Sequence, residues 1–351
     1  MRDVAVVGFA QAPPEQPVGQ PENLMLLPVV ADALEQSGID RRDIGFTCSG
    51  SADYLAGSPF AFVSTIEAAG AWPPISESHV EMDGAWALYE AWVRLQHGDV
   101  DTALVYSSGR ATAGDLRDTL VLQLDPYYLM PLWPDDVSLA ALQAQAVLDA
   151  TGHTEADLAE IAVSAARAAV DNPYAVRKGE LRVEDLLATD YVASPLRDHD
   201  VAPVSDGAAA VVLAVGDRAR ETCERPAWIT GIDHRVDPQY PGARDLTVSS
   251  SARLAAEGAG VSAGPVEVAE LAANFTHEQL VLCDALGLDD EVEINPSGGA
   301  LASNPVMVTG LTRIGEAARQ ITEGGRRRVV GHASSGPCLQ QNLVCVMEES
   351  S

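Results

Sequence analysis

Asp83-Gly-Ala-Trp-Ala-Leu-Tyr-Glu-Ala-Trp-Val-Arg-Leu-Gln-His97 is the stretch on which the fold turns. Ala85, Leu88, Trp92 and Leu95 recur at three- and four-residue spacing and share one helix face, and Gly98 supplies the stop. An apolar strand over Ala103–Tyr106 follows. The same design returns over 305–323, where Val308, Leu311, Gly315 and Ala318 share a face, Gly324-Gly325 ends the helix, and a strand runs over 328–333.

The parallel extends upstream of both helices. The first half opens with a strand over Val4–Phe9, a helix around Leu26–Gln36 stopped by Gly38, and a buried strand over Ile44–Ser49. The second half repeats this with a strand over Ala227–Ile232, a helix over Ser251–Glu257 running to Gly258 and Gly260, and a strand over Val266–Leu271. Gln-Ser-Gly-Ile-Asp at 36–40 is matched by Gly-Ala-Gly-Val-Ser at 258–262. Strands alternating with crossover-length helices predict mainly parallel sheet covered on both faces, a duplicated α/β layer architecture. The halves are residues 1–225 and 226–351. The first carries an insertion at about 110–193, with an aromatic, proline-rich run, Asp125-Pro-Tyr-Tyr-Leu-Met-Pro-Leu-Trp-Pro134, and helical runs at 138–150 and 155–170. The insertion either caps a cleft or packs as a surface excursion.

The chain has 351 residues, 22 Lys+Arg against 51 Asp+Glu and a formal charge of −29, which disfavours nucleic acid and anionic membrane surfaces as partners. The one basic cluster, Arg326, Arg327 and Arg328, reads as a solvated strand entrance or a local phosphate site. No stretch reaches membrane-spanning length, and the N-terminus has no signal-peptide pattern. Five cysteines, scattered and without C-x-x-C spacing, predict reduced thiols in a cytoplasmic protein, with no disulfide and no metal site.

Pro195-Leu-Arg-Asp-His-Asp-Val-Ala-Pro-Val-Ser-Asp-Gly-Ala-Ala-Ala-Val-Val-Leu213 resembles the end of the N-terminal half of thiolases of the sterol-carrier-protein-x type. Asn172-Pro173, Phe275-Thr276 with a helix ending Ala285-Leu-Gly-Leu288, and Asn295-Pro-Ser-Gly-Gly299 follow in the family's order, so the resemblance covers essentially the whole chain. It implies the thiolase fold, five αβαβα layers from two similar halves, and a dimer whose central sheets pair across the subunit interface. The chain is also similar to the short actinobacterial thiolase-like lipid-transfer proteins associated with sterol side-chain degradation.

Against the family's motifs the reactive residues are replaced. In the C-x-x-G-x-x-A-L pattern this chain has Glu81-Met-Asp-Gly84-Ala-Trp-Ala87-Leu88, so Glu81 stands where the resemblance places the nucleophilic cysteine. A carboxylate there forms no thioester intermediate; Glu81 is either a general base or, like Asp83, a helix cap. His-Asp-Cys-Phe aligns with Ala272-Ala-Asn-Phe275, leaving His277 as a neighbouring histidine that either reaches the pocket or packs. Gly-His-Pro aligns with Ser303-Asn304-Pro305, and Asn304 donates hydrogen bonds but is no base. The final Cys-x-Gly aligns with Ser334-Ser335-Gly336, with Cys338 two residues beyond.

Thiolysis is therefore not expected. The resemblance implies an acyl-CoA cleft acting in sterol side-chain degradation by retro-aldol cleavage of a β-hydroxyacyl-CoA. Glu81 is the candidate base, Asn304 and Ser334 are candidate enolate donors, and Asp83, His277, Asn295, Gly298, Gly299, Ser335 and Gly336 are candidate substrate contacts. The tyrosine-based sites of aldolase relatives are not evident, since no Tyr follows Tyr240. The alternatives are a non-catalytic pseudo-thiolase subunit supporting an active thiolase-like partner, and an acyltransferase using a nucleophile such as Cys338. No cofactor is expected beyond acyl-CoA as substrate. The partners implied are a second copy or a second thiolase-like chain, with a small OB-fold protein that delivers acyl-CoA.

Overall fold

A computed structural model of the chain describes residues 1–14 and 21–350. In chain order its principal elements are β1 (Val4–Gln11), α1 (Glu22–Ser37), β2 (Phe46–Gly50), β3 (Glu77–Val80), α2 (Gly84–His97), β4 (Thr102–Arg110), α3 (Asp136–Thr151), α4 (Glu155–Ala168) and β5 (Val204–Val215). The second half supplies β6 (Ala227–Val236), α5 (Ser250–Ala259), β7 (Val268–Glu270), α6 (Thr276–Leu286), β8 (Glu293–Ile294), α7 (Thr309–Thr322), β9 (Arg328–Ser335) and β10 (Gln341–Glu348).

The strands form one sheet in the order β8-β7-β9-β10-β6-β1-β5-β4-β2-β3. Read from either edge to the middle, the order is the third, second, fourth, fifth and first strand of one half, so the duplication legible in the sequence is a duplication of topology. The halves meet where β1 pairs with β6 antiparallel, Ala5 opposite Trp228 and Val6 opposite Ala227. Within each half the last strand, β5 or β10, runs antiparallel to its neighbours, while β2 pairs in parallel with β3 and β4, and β7 with β8 and β9. The sheet is mixed to this extent. The sequence pattern does not single out β5 and β10, because strands buried on both faces, such as the Ala208–Leu213 run, lose the two-residue alternation that marks a strand.

Three cores define the layers. One face of the first half-sheet packs on α1 through Leu26, Val30, Leu104 and Val212. One face of the second packs on α5 and α6 through Ala252, Leu282, Val330 and Val344. The opposite faces of both share a single core with α2 and α7, built from Leu88, Leu95, Leu311, Ile314, Val105, Val211, Val329 and Leu343. The result is the expected five-layer αβαβα arrangement.

The central helices begin against each other. Asp83 caps α2 by accepting the Ala85 N–H at 2.8 Å, and the same carboxylate accepts the N–H groups of Gly310 and Leu311, at 2.9 and 3.0 Å, in the first turn of α7. The Gly84 N–H donates to Met307 O at 2.9 Å. The approach requires glycine, because a Cβ on Gly310 would lie 2.4 Å from the Ala333 Cβ and 2.5 Å from Asp83 Oδ1. α7 starts at Thr309, later than the sequence pattern predicts, because Asn304–Pro305 first bridges to Val204–Ser205 and the chain turns at Met307, whose φ is +73°. The arginine cluster is a strand entrance: Arg326, Arg327 and Arg328 pair with Glu293, Glu267 and Glu348.

Asp83→Asn keeps the side chain's volume but replaces one acceptor oxygen with a donor, leaving at least one of three buried N–H groups unpaired and removing the charge between two helix N-termini. Chemical denaturation is expected to show a loss of about 2–4 kcal/mol with an unchanged m-value. A change within about 0.5 kcal/mol would show that the carboxylate does not tie the halves together.

Candidate active site

A cavity opens beside the paired N-termini of α2 and α7. Its floor comes from Asp83, Asn304, Met307 and Thr309, one wall from Ala272, Asn274, Phe275 and Glu278 at the start of α6, and another from Ser334–Cys338 at the end of β9 and just beyond it. The insertion supplies the cover through Leu116, Leu120, Leu124, Pro134, Asp136 and Val137. Of the two readings of the insertion, its flanks cap the cleft. Its aromatic tip does not: Tyr127 is 82% and Trp133 53% exposed.

The structure brings Asp83, Asn304, Ser334, Ser335 and Gly336 to this cavity. Asn304 is fixed by its own N–H to Ser205 Oγ, 3.0 Å, and by Thr309 Oγ1 donating to its Oδ1 at 2.7 Å, which leaves Nδ2 without a partner among the described residues. Ser334 Oγ donates to Ala272 O at 2.7 Å. Asp83 has its carboxylate occupied by the three helix N–H groups; burial pushes its pKa up and those donors pull it back.

Other predicted residues lie elsewhere. Glu81 is exposed, absent from the cavity lining, and accepts the Asp53 N–H at 2.9 Å. Partial burial and neighbouring Asp53 raise its pKa, although the Asp53 N–H opposes them. The separation is local: Asp83 points between the helices as the cap, and Glu81, two residues earlier, turns outward to the 53–56 turn. His277 is fully buried with Nε2 3.2 Å from Gln143 Oε1, and desolvation pushes its pKa down to about 3, so it is a neutral packing residue off the cavity wall.

Asn295, Gly298 and Gly299 support the cleft from behind. Asn295 Oδ1 accepts the Leu271 N–H at 2.6 Å and its Nδ2 donates to Gln279. Between them Ser297 donates through its N–H and Oγ to Glu270, and Glu270 pairs with Arg313 at 2.8 Å, all of it buried. Gly298 and Gly299 take φ of +94° and +63°.

Two cavity residues escape the sequence reading. Glu278 lies one position past His277, about 100° further round the helix, so it faces the cavity while the histidine faces the core. Its Oε2 accepts the N–H groups of Asn274 and Phe275, at 2.8 and 3.3 Å. The Phe275-Thr276-His277-Glu278 order carries the signal, a glutamate at the third helical position. Asp136, in the first turn of α3, approaches from the insertion. Cys338 also borders the cavity, but burial pushes its thiol up to about 12 and Sγ lies 3.5 Å from Leu139 O, so it holds no thiolate at neutral pH.

No protein-family model matches the chain. Among curated proteins it is 26% identical to the acetyl-CoA acetyltransferase of Methanothermobacter thermautotrophicus over 94% of both chains. It is 23% identical to the 17-hydroxy-3-oxo-4-pregnene-20-carboxyl-CoA lyase of Mycobacterium tuberculosis, over 90% of this chain and 91% of that protein. Among solved structures, the Ltp2-ChsH2(DUF35) aldolase superposes with a TM-score of 0.81 over 99% of this chain and 98% of that one, at 19% identity. The chain thus shares the fold of that aldolase and is similar along nearly its whole length to an acetyl-CoA acetyltransferase and to a CoA-thioester lyase.

Proposed function

We propose that this protein binds an acyl-CoA, a sterol side-chain thioester or a chemical relative of one, and cleaves a β-hydroxyacyl-CoA by retro-aldol chemistry, alone or as a subunit of a complex. One observation carries the reading: a cavity at two helix N-termini offers an amide donor, Asn304 Nδ2, unpaired among the described residues, and carboxyl groups, while the positions at which the resemblance to thiolases expects cysteine hold Glu81 and Ser334. Retro-aldol cleavage needs a base for the β-hydroxyl and donors for the thioester enolate, and it needs no covalent intermediate. Asn304 Nδ2, which has no partner among the described residues, can donate to the oxygen on which the enolate charge forms, while the helix termini themselves are occupied by Asp83. The lyase relative supports the reaction class.

A second reading, a non-catalytic subunit beside an active thiolase-like chain, draws support from the neighbour's two-component name and from the exposed Tyr127, Tyr128 and Trp133, which offer contact area to a partner such as a small OB-fold protein. Co-purification from the native host, followed by incubation of the chain alone and of the complex with β-hydroxyacyl-CoA thioesters, separates the two. Product carbonyl compound and shortened acyl-CoA are expected. Cleavage by the partner alone at the rate of the complex would leave the subunit reading in place.

Incubation with acetyl-CoA or acetoacetyl-CoA should yield no acyl-enzyme by intact mass, because Cys338 is a buried thiol and no cysteine occupies positions 81 or 334. A stable adduct on any residue would restore the acyltransferase alternative. For Glu81→Gln, turnover on the folded protein should stay within about twofold of the parent, since a side chain off the cavity wall does not deliver the 10²–10⁴-fold of a positioned base. A fall of that larger size would return the base to Glu81.

A further inference from the structure

We propose that Glu278 is the general base of the cleft, taking the β-hydroxyl proton of the substrate and returning it to Cα of the thioester enolate. The assignment rests on the retro-aldol reading above. Glu278 is 3% exposed, lines the cavity, and has no ion-pair partner among the described residues. Two backbone N–H groups anchor Oε2, so the head group is fixed, and Oε1 has no hydrogen-bond partner among the described residues. A carboxyl with one oxygen pinned and the other free on a cavity wall is placed to exchange a proton with a bound ligand.

The reaction closes without another reagent. Glu278 carboxylate accepts the hydroxyl proton, the O–H electrons form the new carbonyl, the Cα–Cβ electrons move into the thioester enolate, and the carboxyl returns its proton to Cα. A β-hydroxyacyl-CoA thereby becomes a carbonyl compound and a shortened acyl-CoA.

Electrostatics suits the role. Desolvation chiefly, with the like charge of Asp136, pushes the Glu278 pKa up to about 8, although the Asn274 and Phe275 N–H groups oppose this. The other ionisable groups around it leave that charge unpaired: Arg117 is engaged by Asp135, Arg244 donates to the carbonyls of Pro337 and Cys338, and Cys338 and His277 are neutral. Asp83 is held by the helix N–H groups, and Asp200 by Thr276 Oγ1 and the Arg197 N–H. A base active as carboxylate gives kcat/KM that rises with pH through its raised pKa and then levels.

Glu278→Gln is the test, because the amide oxygen can still accept both N–H groups and a thermal melt verifies folding. Two readouts are taken on the chain and its co-purified complex: cleavage of β-hydroxyacyl-CoA across pH, and exchange of the Cα protons of a shortened acyl-CoA with D2O by mass spectrometry. Glu278→Gln is expected to lower both by about 10²–10⁴-fold and to remove the pH limb near 8. Asp136→Asn should move that limb to lower pH, because the like charge beside Glu278 is removed. Exchange without cleavage in the parent protein, lost in Glu278→Gln, would sink the retro-aldol reading and leave Glu278 as the base. Exchange and pH limb unchanged in Glu278→Gln overturn the assignment, as does a parent protein that neither cleaves nor exchanges.

Discussion

The Asp83 carboxylate is the point at which the two halves become one protein. α7 has no side-chain cap of its own, and the N–H groups of its first turn would stand unpaired in the core if α2 did not supply an acceptor. That one buried anion satisfies both helices fixes their separation and angle. Those in turn fix where the half-sheets lie, since both pack on this pair. Gly84 and Gly310 permit the approach, and the cavity is the space left beside the two termini.

A second buried ionic cluster carries the geometry to the far side of the cleft. Glu270 at the end of β7, Arg313 on α7 and Ser297 form a network sealed from solvent. Such a pair contributes little net stability because desolvation offsets much of the attraction, yet removing one partner strands the other charge. Its consequence here is positional: the 295–299 loop is locked to α7, and the 271–275 segment that leads into α6 is held through Asn295. Glu278 thus stands on a helix whose start is anchored from two directions.

The cavity's electrostatic character follows from the groups on its wall. With cysteine absent at the helix terminus and Cys338 held as a thiol, the wall contains no activated nucleophile, while carboxyl groups with little cationic company gather there. Burial and like charge raise the pKa values of Asp136 and Glu278, which disposes the site to proton transfer.

The duplicated α/β architecture was fixed by the sequence alone, through the helical spacing at 85–95 and 308–318, the glycine stops and the repeated strand–helix order, because burial of one helix face imposes a period that survives without coordinates. The resemblance to thiolases was likewise carried by local motifs, in which Glu81 and Ser334 stand where that resemblance expects cysteine. The tertiary structure decided which polar residues share a cavity. Glu81 and Asp83 are two residues apart, and His277 and Glu278 are adjacent, yet in each pair one faces the cleft and the other does not, because a cap and a 100° helical step send side chains in different directions. Whether Asp83 caps one helix or two depended on a contact 227 residues away in sequence, which no local pattern encodes.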